Sequence, residues 1–150
     1  MRRPWLLLPL MLFALPSQAQ AVRSGAAVKW APAPPFFPAG ARFAVLQGDP
    51  GASGEYTVRL RMPNGYIIAP HWHPADEQVT VLSGTLLLGM GDKVERRMAT
   101  RLSAGGFITA AANAHHYAVA VGPTVVQVHG TGPFAINYVR PADDPRTARR

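Results

Sequence analysis

Between Gly65 and Gly84 the chain reads GYIIAPHWHPADEQVTVLSG, and this stretch limits the possible folds more than any other. Side chains alternate between faces along a strand, so an extended stretch sends His71, His73 and Glu77 to one side of a sheet. Val79 and Val81 continue that side, which therefore reads as buried. Two neutral imidazoles and a carboxylate converging beside apolar residues make the first three ligands of a divalent metal site, with a fourth to be sought downstream. A His-x-His pair on its own is more simply explained by exposed or hydrogen-bonded histidines. The spacing of the whole stretch has to carry the reading.

The flanking segments alternate in the same way. Glu55 to Met62 puts Tyr56, Val58, Leu60 and Met62 on one face, and Thr57, Arg59 and Arg61 on the other, toward solvent. Asp49-Pro50-Gly51 to Gly54 is a cluster of turn residues, and Pro63-Asn64-Gly65 is a turn in which Gly65 takes a backbone conformation that other residues resist. Ser83-Gly84 reads as a further turn, with Thr85 to Met90 as the next strand. No segment carries ten or more residues of helical periodicity, so the chain is all-β, a barrel or sandwich of short strands. Leu60, Val79, Val81, Leu86, Leu88, Phe107 and Val126 are expected in the core.

The spacing G-x5-H-x-H-x3-E-x6-G, met at Gly65, His71, His73, Glu77 and Gly84, resembles the first motif of the cupin superfamily. The resemblance implies a small antiparallel β-barrel, a double-stranded β-helix or jelly roll, with a metal inside held by His71, His73, Glu77 and a later histidine. The second cupin motif, G-x5-P-x-G-x2-H-x3-N, is matched from Gly105 at the glycine and at His116 only. Ala111, Asn113 and Ala120 stand where proline, glycine and asparagine are expected. Asn113 is a workable substitute because asparagine accepts a left-handed turn. By motif spacing His116 is the fourth ligand, and its face continues as Ala118 and Ala120, small residues that leave volume beside a metal. In the other register His115 faces inward with Tyr117, Val119 and Val121; His116 is preferred and His115 is left at the rim.

Gln127 and His129 share a face of the strand beginning near Thr124. If that face lines the barrel they orient a bound molecule, together with His115 and Tyr117; if it faces solvent they have no such role. Phe134, Ile136 and Tyr138 fall together in the closing strand and read as core or as a dimer contact.

The first 21 residues do not belong to this domain. Arg2 and Arg3 precede the apolar run Trp5 to Leu15, which ends at small-residue cleavage sites around Ala19 and Ala21, the pattern of a secretory signal peptide. Pro4, Pro9 and Pro16 and the short apolar run argue against a stable membrane anchor. Residues 22–40 are an Ala/Pro-rich strap whose Trp30, Phe36 and Phe37 seek a surface to cover; residues 41–140 form the cupin domain and 141–150 a basic tail. The chain has no cysteine, which excludes disulfides, thiolate metal sites and thiol nucleophiles. Its formal charge of +7 includes the two N-terminal arginines and is otherwise scattered, so nucleic acid is not an expected partner.

Histidine and carboxylate ligands without sulfur suit a divalent transition metal such as Fe, Mn, Ni or Zn. Four protein ligands leave open positions for water, dioxygen or a chelating molecule, the requirement for metal catalysis. The expected protein is a periplasmic or secreted metal-binding cupin, a homodimer, acting as a dioxygenase-like oxidoreductase on a small oxygen-rich molecule, with Glu77 also able to move protons. A non-catalytic binding or sensing module is the second reading, and a sugar isomerase or epimerase the third.

Overall fold

The computed structural model describes residues 24–147; the signal-peptide segment and the last three residues of the basic tail lie outside the described residues. Within them the chain forms β1 (Ala31–Pro32), β2 (Arg42–Gln47), β3 (Gly54–Met62), β4 (Ile67–Trp72), β5 (Glu77–Met90), β6 (Thr100–Ser103), β7 (Phe107–Ala110), β8 (His116–Gly132) and β9 (Asn137–Tyr138), with two short 3-10 turns and no α-helix. Every strand pairing is antiparallel. The sheet runs β1-β2-β3-β8-β4-β9, and β5 joins β6, β7 and β8, so it curls into the barrel that the motif spacing implies.

The two long strands turn the corner of the barrel. β5 and β8 pair along their whole length, with irregularities in register between Val81 and Thr85. Gly84 and Gly122 take positive φ angles of 79° and 74°, and a side chain at Gly84 would collide with the Pro123 carbonyl and Thr124. Thr124, fully buried, closes the bend by donating its hydroxyl to the Thr85 carbonyl at 2.9 Å. The expected turn at Ser83-Gly84 is therefore a bend inside one strand. A glycine in a strand interior permits such a kink as readily as it permits a turn, and the local sequence does not distinguish them.

Alternation sorts the core. Tyr56, Val58, Leu60 and Met62 of β3 are all buried, facing Val126 and Val128 of β8 in adjoining register. Six of the seven expected core residues are buried, but Phe107 is 57% exposed. Its partner across the ladder is Thr80, which belongs to the outer face of β5, so Ile108 and Ala110 turn inward instead. The two-residue period of β7 decides the matter against the hydrophobicity of Phe107.

The Ala/Pro-rich strap lies against the barrel. Ala31 and Pro32 add a short edge to β2, and Phe37 is buried in the core cluster, with its ring 6.1 Å from Phe43 and 6.2 Å from Phe134. Two tyrosines fasten it: Tyr66 donates its hydroxyl to the Pro38 carbonyl and Tyr138 donates to the Phe36 carbonyl.

Tyr117 packs over Gly89, where a Cβ would run into the phenol ring, and its hydroxyl donates to the Glu95 carbonyl at 2.7 Å. Gly89→Ala forces that ring to move or lose its bond, and overpacking of this kind costs about 1–3 kcal/mol. Urea unfolding of the variant is expected to show a midpoint lowered accordingly.

Candidate metal centre

The His/Glu stretch is not one strand. Pro74, Ala75 and Asp76 break it between β4 and β5, so His71 sits in β4, His73 just beyond its end and Glu77 at the start of β5. His71 pairs with His116 at one end of β8 and Glu77 pairs with Gly130 at the other; the curl of the sheet brings those ends together, with the Glu77 carboxylate 3.6 Å from His116. His71, His73 and His116 are 3%, 4% and 1% exposed. Their candidate ligand nitrogens lie within 4.8 Å of one another.

Backbone carbonyls orient all three rings. The Nδ1–H of His71 donates to the Ala69 carbonyl at 2.7 Å, that of His73 to the Ala135 carbonyl at 2.7 Å, and that of His116 to the Ala114 carbonyl at 2.9 Å. A carbonyl can only accept, so each Nδ1 carries the hydrogen and each Nε2 keeps its lone pair for the interior. Asn113, the substitute for the motif glycine, has φ 63°, and its N–H donates to the His73 carbonyl at 2.8 Å. The left-handed turn at Asn113 thus braces the backbone that presents His73.

The Glu77 carboxylate lies 3.4 Å from His73 Nε2 and 3.6 Å from His116 Nε2. Lone pairs of three imidazoles and a carboxylate repel unless a proton or a cation sits among them. His73 Nε2 and His116 Nε2 are buried with no hydrogen-bond partner among the described residues, a costly arrangement for a purely structural cluster. Ligands on one divalent ion stand about 2.0–2.2 Å from it, which brings their atoms on the order of 3–4 Å apart. The donor set, its orientation and its spacing fit such an ion.

Burial pulls the His71 imidazole down to about 3, helped by the neighbouring His116 and His73 rings. Burial also acts against a charged His73, but its contact with Glu77 outweighs this and raises it above the ordinary value. Burial alone would raise the Glu77 carboxyl, yet the close approach of the His116 and His73 imidazoles holds it below the usual carboxylate range. Without a cation, both shifts run toward a charged pair of His73 and Glu77.

A cavity of about 40 Å³ adjoins the cluster. Its polar wall is His71, His73, His116 and Glu77; the remainder is apolar, with Phe37 of the strap, Met62 and Ile136 closing it. That space holds an ion with one or two waters. The roles of Phe37 and Ile136 were not visible in strand alternation, because both come from segments outside the paired strands.

The other four sequence candidates stand elsewhere. Val126 and Val128 face inward, so Gln127 and His129 face out: Gln127 accepts from Arg59 Nε at 3.0 Å, and His129 Nδ1 is 3.1 Å from the Thr57 hydroxyl. His115 is half-exposed and its Nδ1 pairs with Asp92. Tyr117 is buried on the face of β8 opposite to His116, away from the cavity.

A curled antiparallel barrel carrying a buried imidazole triad with a buried carboxylate beside it defines a cupin. The comparison of sequences is more specific: the ChrR cupin-like domain family matches residues 18–135, and the chain belongs to it. No curated protein matches the chain in sequence. Among solved structures it is similar to the polyketide cyclase RemF from Streptomyces resistomycificus (TM-score 0.69, 18% identity, 85% of this chain and 90% of that one). It is also similar to a proposed acetylacetone dioxygenase from Methylibium petroleiphilum PM1 (TM-score 0.65, 21% identity, 88% and 90%). KdgF from Halomonas sp. is a third (TM-score 0.56, 20% identity, 72% and 89%). At these identities the likeness is one of fold.

Below its raised value His73 carries a second proton, which metal uptake has to expel. Apparent affinity for Zn²⁺ is expected to weaken about tenfold per unit as pH falls below the raised value of His73, while His71 offers no competition until pH 3 is approached. Competition titrations across pH, with proton release followed by a dye, check this.

Proposed function

We propose that the protein is a metal-dependent oxidoreductase of the dioxygenase type, with His71, His73, His116 and Glu77 holding a divalent transition metal. The observation that carries the reading is the pair of buried, partnerless Nε2 atoms beside the Glu77 carboxylate. A redox-active ion in this donor set would supply electron transfer and polarise oxygen-bearing molecules. The chain's own residues do the rest. The three carbonyl-anchored imidazoles fix the ion's position, and the apolar wall with Phe37 above it excludes bulk water. Glu77 takes or returns a proton at its carboxylate oxygen.

The cavity also bears on the substrate. It contains no lysine or arginine among its lining residues, so the reading favours a small neutral molecule with chelating oxygens over a carboxylate or a phosphate. The resemblance in fold to a proposed acetylacetone dioxygenase is consistent with this. We read the mature protein as exported, to the periplasm or beyond, on the strength of its first 21 residues, and as a homodimer.

A specific observation favours the second reading, a metal-stabilised binding or sensing module. The cavity offers no acid or base beyond the ligands themselves, and at about 40 Å³ it admits a substrate only if the strap yields.

Elemental analysis of purified protein decides between them when run beside oxygen uptake with small diketones, enediols and phenols. Near-stoichiometric iron, manganese or nickel is expected, lost in His71→Ala and His116→Ala but retained in His115→Ala, with oxygen consumed in the presence of a substrate. Zinc bound in the same pattern without oxygen uptake supports the binding module. Absence of metal from the wild-type protein in metal-supplemented buffer overturns both.

A further inference from the structure

Four tyrosines occur in the chain, and three of them donate their hydroxyls to backbone carbonyls. Tyr66 and Tyr138 hold the strap and Tyr117 holds the segment around Glu95. Tyr56 is different. It is 3% exposed as a whole residue, and its hydroxyl is not committed to any hydrogen bond among the described residues.

Strand register says where that hydroxyl goes. Tyr56 of β3 is paired with Gly130 of β8, and Gly130 is paired on its other side with Glu77 of β5. All three belong to the inner face. Because Gly130 has no side chain, the phenol leans across it: a Cβ built there would lie 2.6 Å from the Tyr56 oxygen and 3.3 Å from the carbonyl of Asp76, the residue before Glu77. Phe134 packs edge-on to the Tyr56 ring at 5.8 Å and keeps it in place. The phenol is held in its neutral, donating form, first by burial and then by the nearby charge of Glu77.

Glu77 has the complementary deficiency. Its carboxylate is buried, and beyond the two imidazole nitrogens beside it no side-chain or backbone donor reaches it among the described residues. The other lining residues of the cavity are apolar. A buried carboxylate short of donors and an uncommitted hydroxyl therefore flank the same glycine.

We propose that Tyr56 is a positioning residue for Glu77: its hydroxyl donates to a bridging water that in turn donates to the Glu77 carboxylate, and so fixes which carboxylate oxygen is presented to the metal. The inference rests on the reading of Glu77 as part of the metal centre. Residues that orient a metal-binding carboxylate in this way typically govern metal affinity by about 10–100-fold. Gly130 has a role in the same device, since any side chain there displaces the phenol.

The test uses the full protein, cobalt(II) as the probe, and Tyr56→Phe, Gly130→Ala and Glu77→Gln variants. Tyr56→Phe is expected to bind cobalt about tenfold more weakly, with altered d–d bands and an unchanged far-ultraviolet circular dichroism spectrum. Gly130→Ala, which keeps the hydroxyl but moves it, shifts the bands in the same direction. In the Glu77→Gln background Tyr56→Phe adds little, because the two residues act as one unit. Wild-type cobalt affinity and bands in Tyr56→Phe, or losses that add fully in the double variant, overturn the pairing while leaving the metal centre intact. Failure of the wild-type protein to bind cobalt overturns the metal centre and this inference with it.

Discussion

Three hydrogen bonds from imidazole Nδ1–H groups to backbone carbonyls are the constraint on which the centre depends. Each fixes a tautomer and a ring plane, and together they turn three lone pairs toward one point. The acceptors are carbonyls of Ala69, Ala114 and Ala135, whose positions are set by the barrel and not by any side chain. The fold is thus the scaffold of the centre in a literal sense: shifting β4 against β8 by one residue would separate His71 from His116 and release their carbonyl partners. The like-charge problem among the lone pairs is what gives the cluster its affinity for a cation or a proton.

The same economy of side chains shapes the cavity. Its wall is built from the inward residues of β3, β5 and β8 and is capped by Phe37 from a segment that contributes almost nothing to the sheet. The cap is held by two tyrosine hydroxyls donated to the Phe36 and Pro38 carbonyls and by aromatic contacts with Phe43 and Phe134. A small, largely apolar space around a charged cluster strengthens every electrostatic interaction inside it.

Much of this was legible in the sequence. Alternation identified the inner face of β3, the glycine of the Pro63–Gly65 turn has a φ of 76° and Asn113 takes the left-handed turn expected of it. The cupin likeness of two spaced motifs implied the barrel. What stayed hidden depended on pairing between distant segments. Whether Gly84 makes a turn or a bend is decided by Thr124, forty residues on in the ladder of β5 and β8. Phe107 looked like core by composition and is outward by its register with Thr80. Gln127 and His129 could not be assigned a face until β8 was anchored, and Tyr56 comes near Glu77 only because both flank Gly130.

The central claim is that three neutral imidazoles, protonated at Nδ1, present Nε2 to a single ion. Nitrogen-15 NMR of the imidazole side chains, recorded on metal-free and zinc-loaded protein, tests it most directly. The account predicts that zinc shifts the Nε2 resonances of His71, His73 and His116 together, with Nδ1 protonated in all three, and leaves His115 and His129 where they were. A zinc-induced shift at His115 in place of His116, or an Nδ1-bound ion at any of the three, would contradict it.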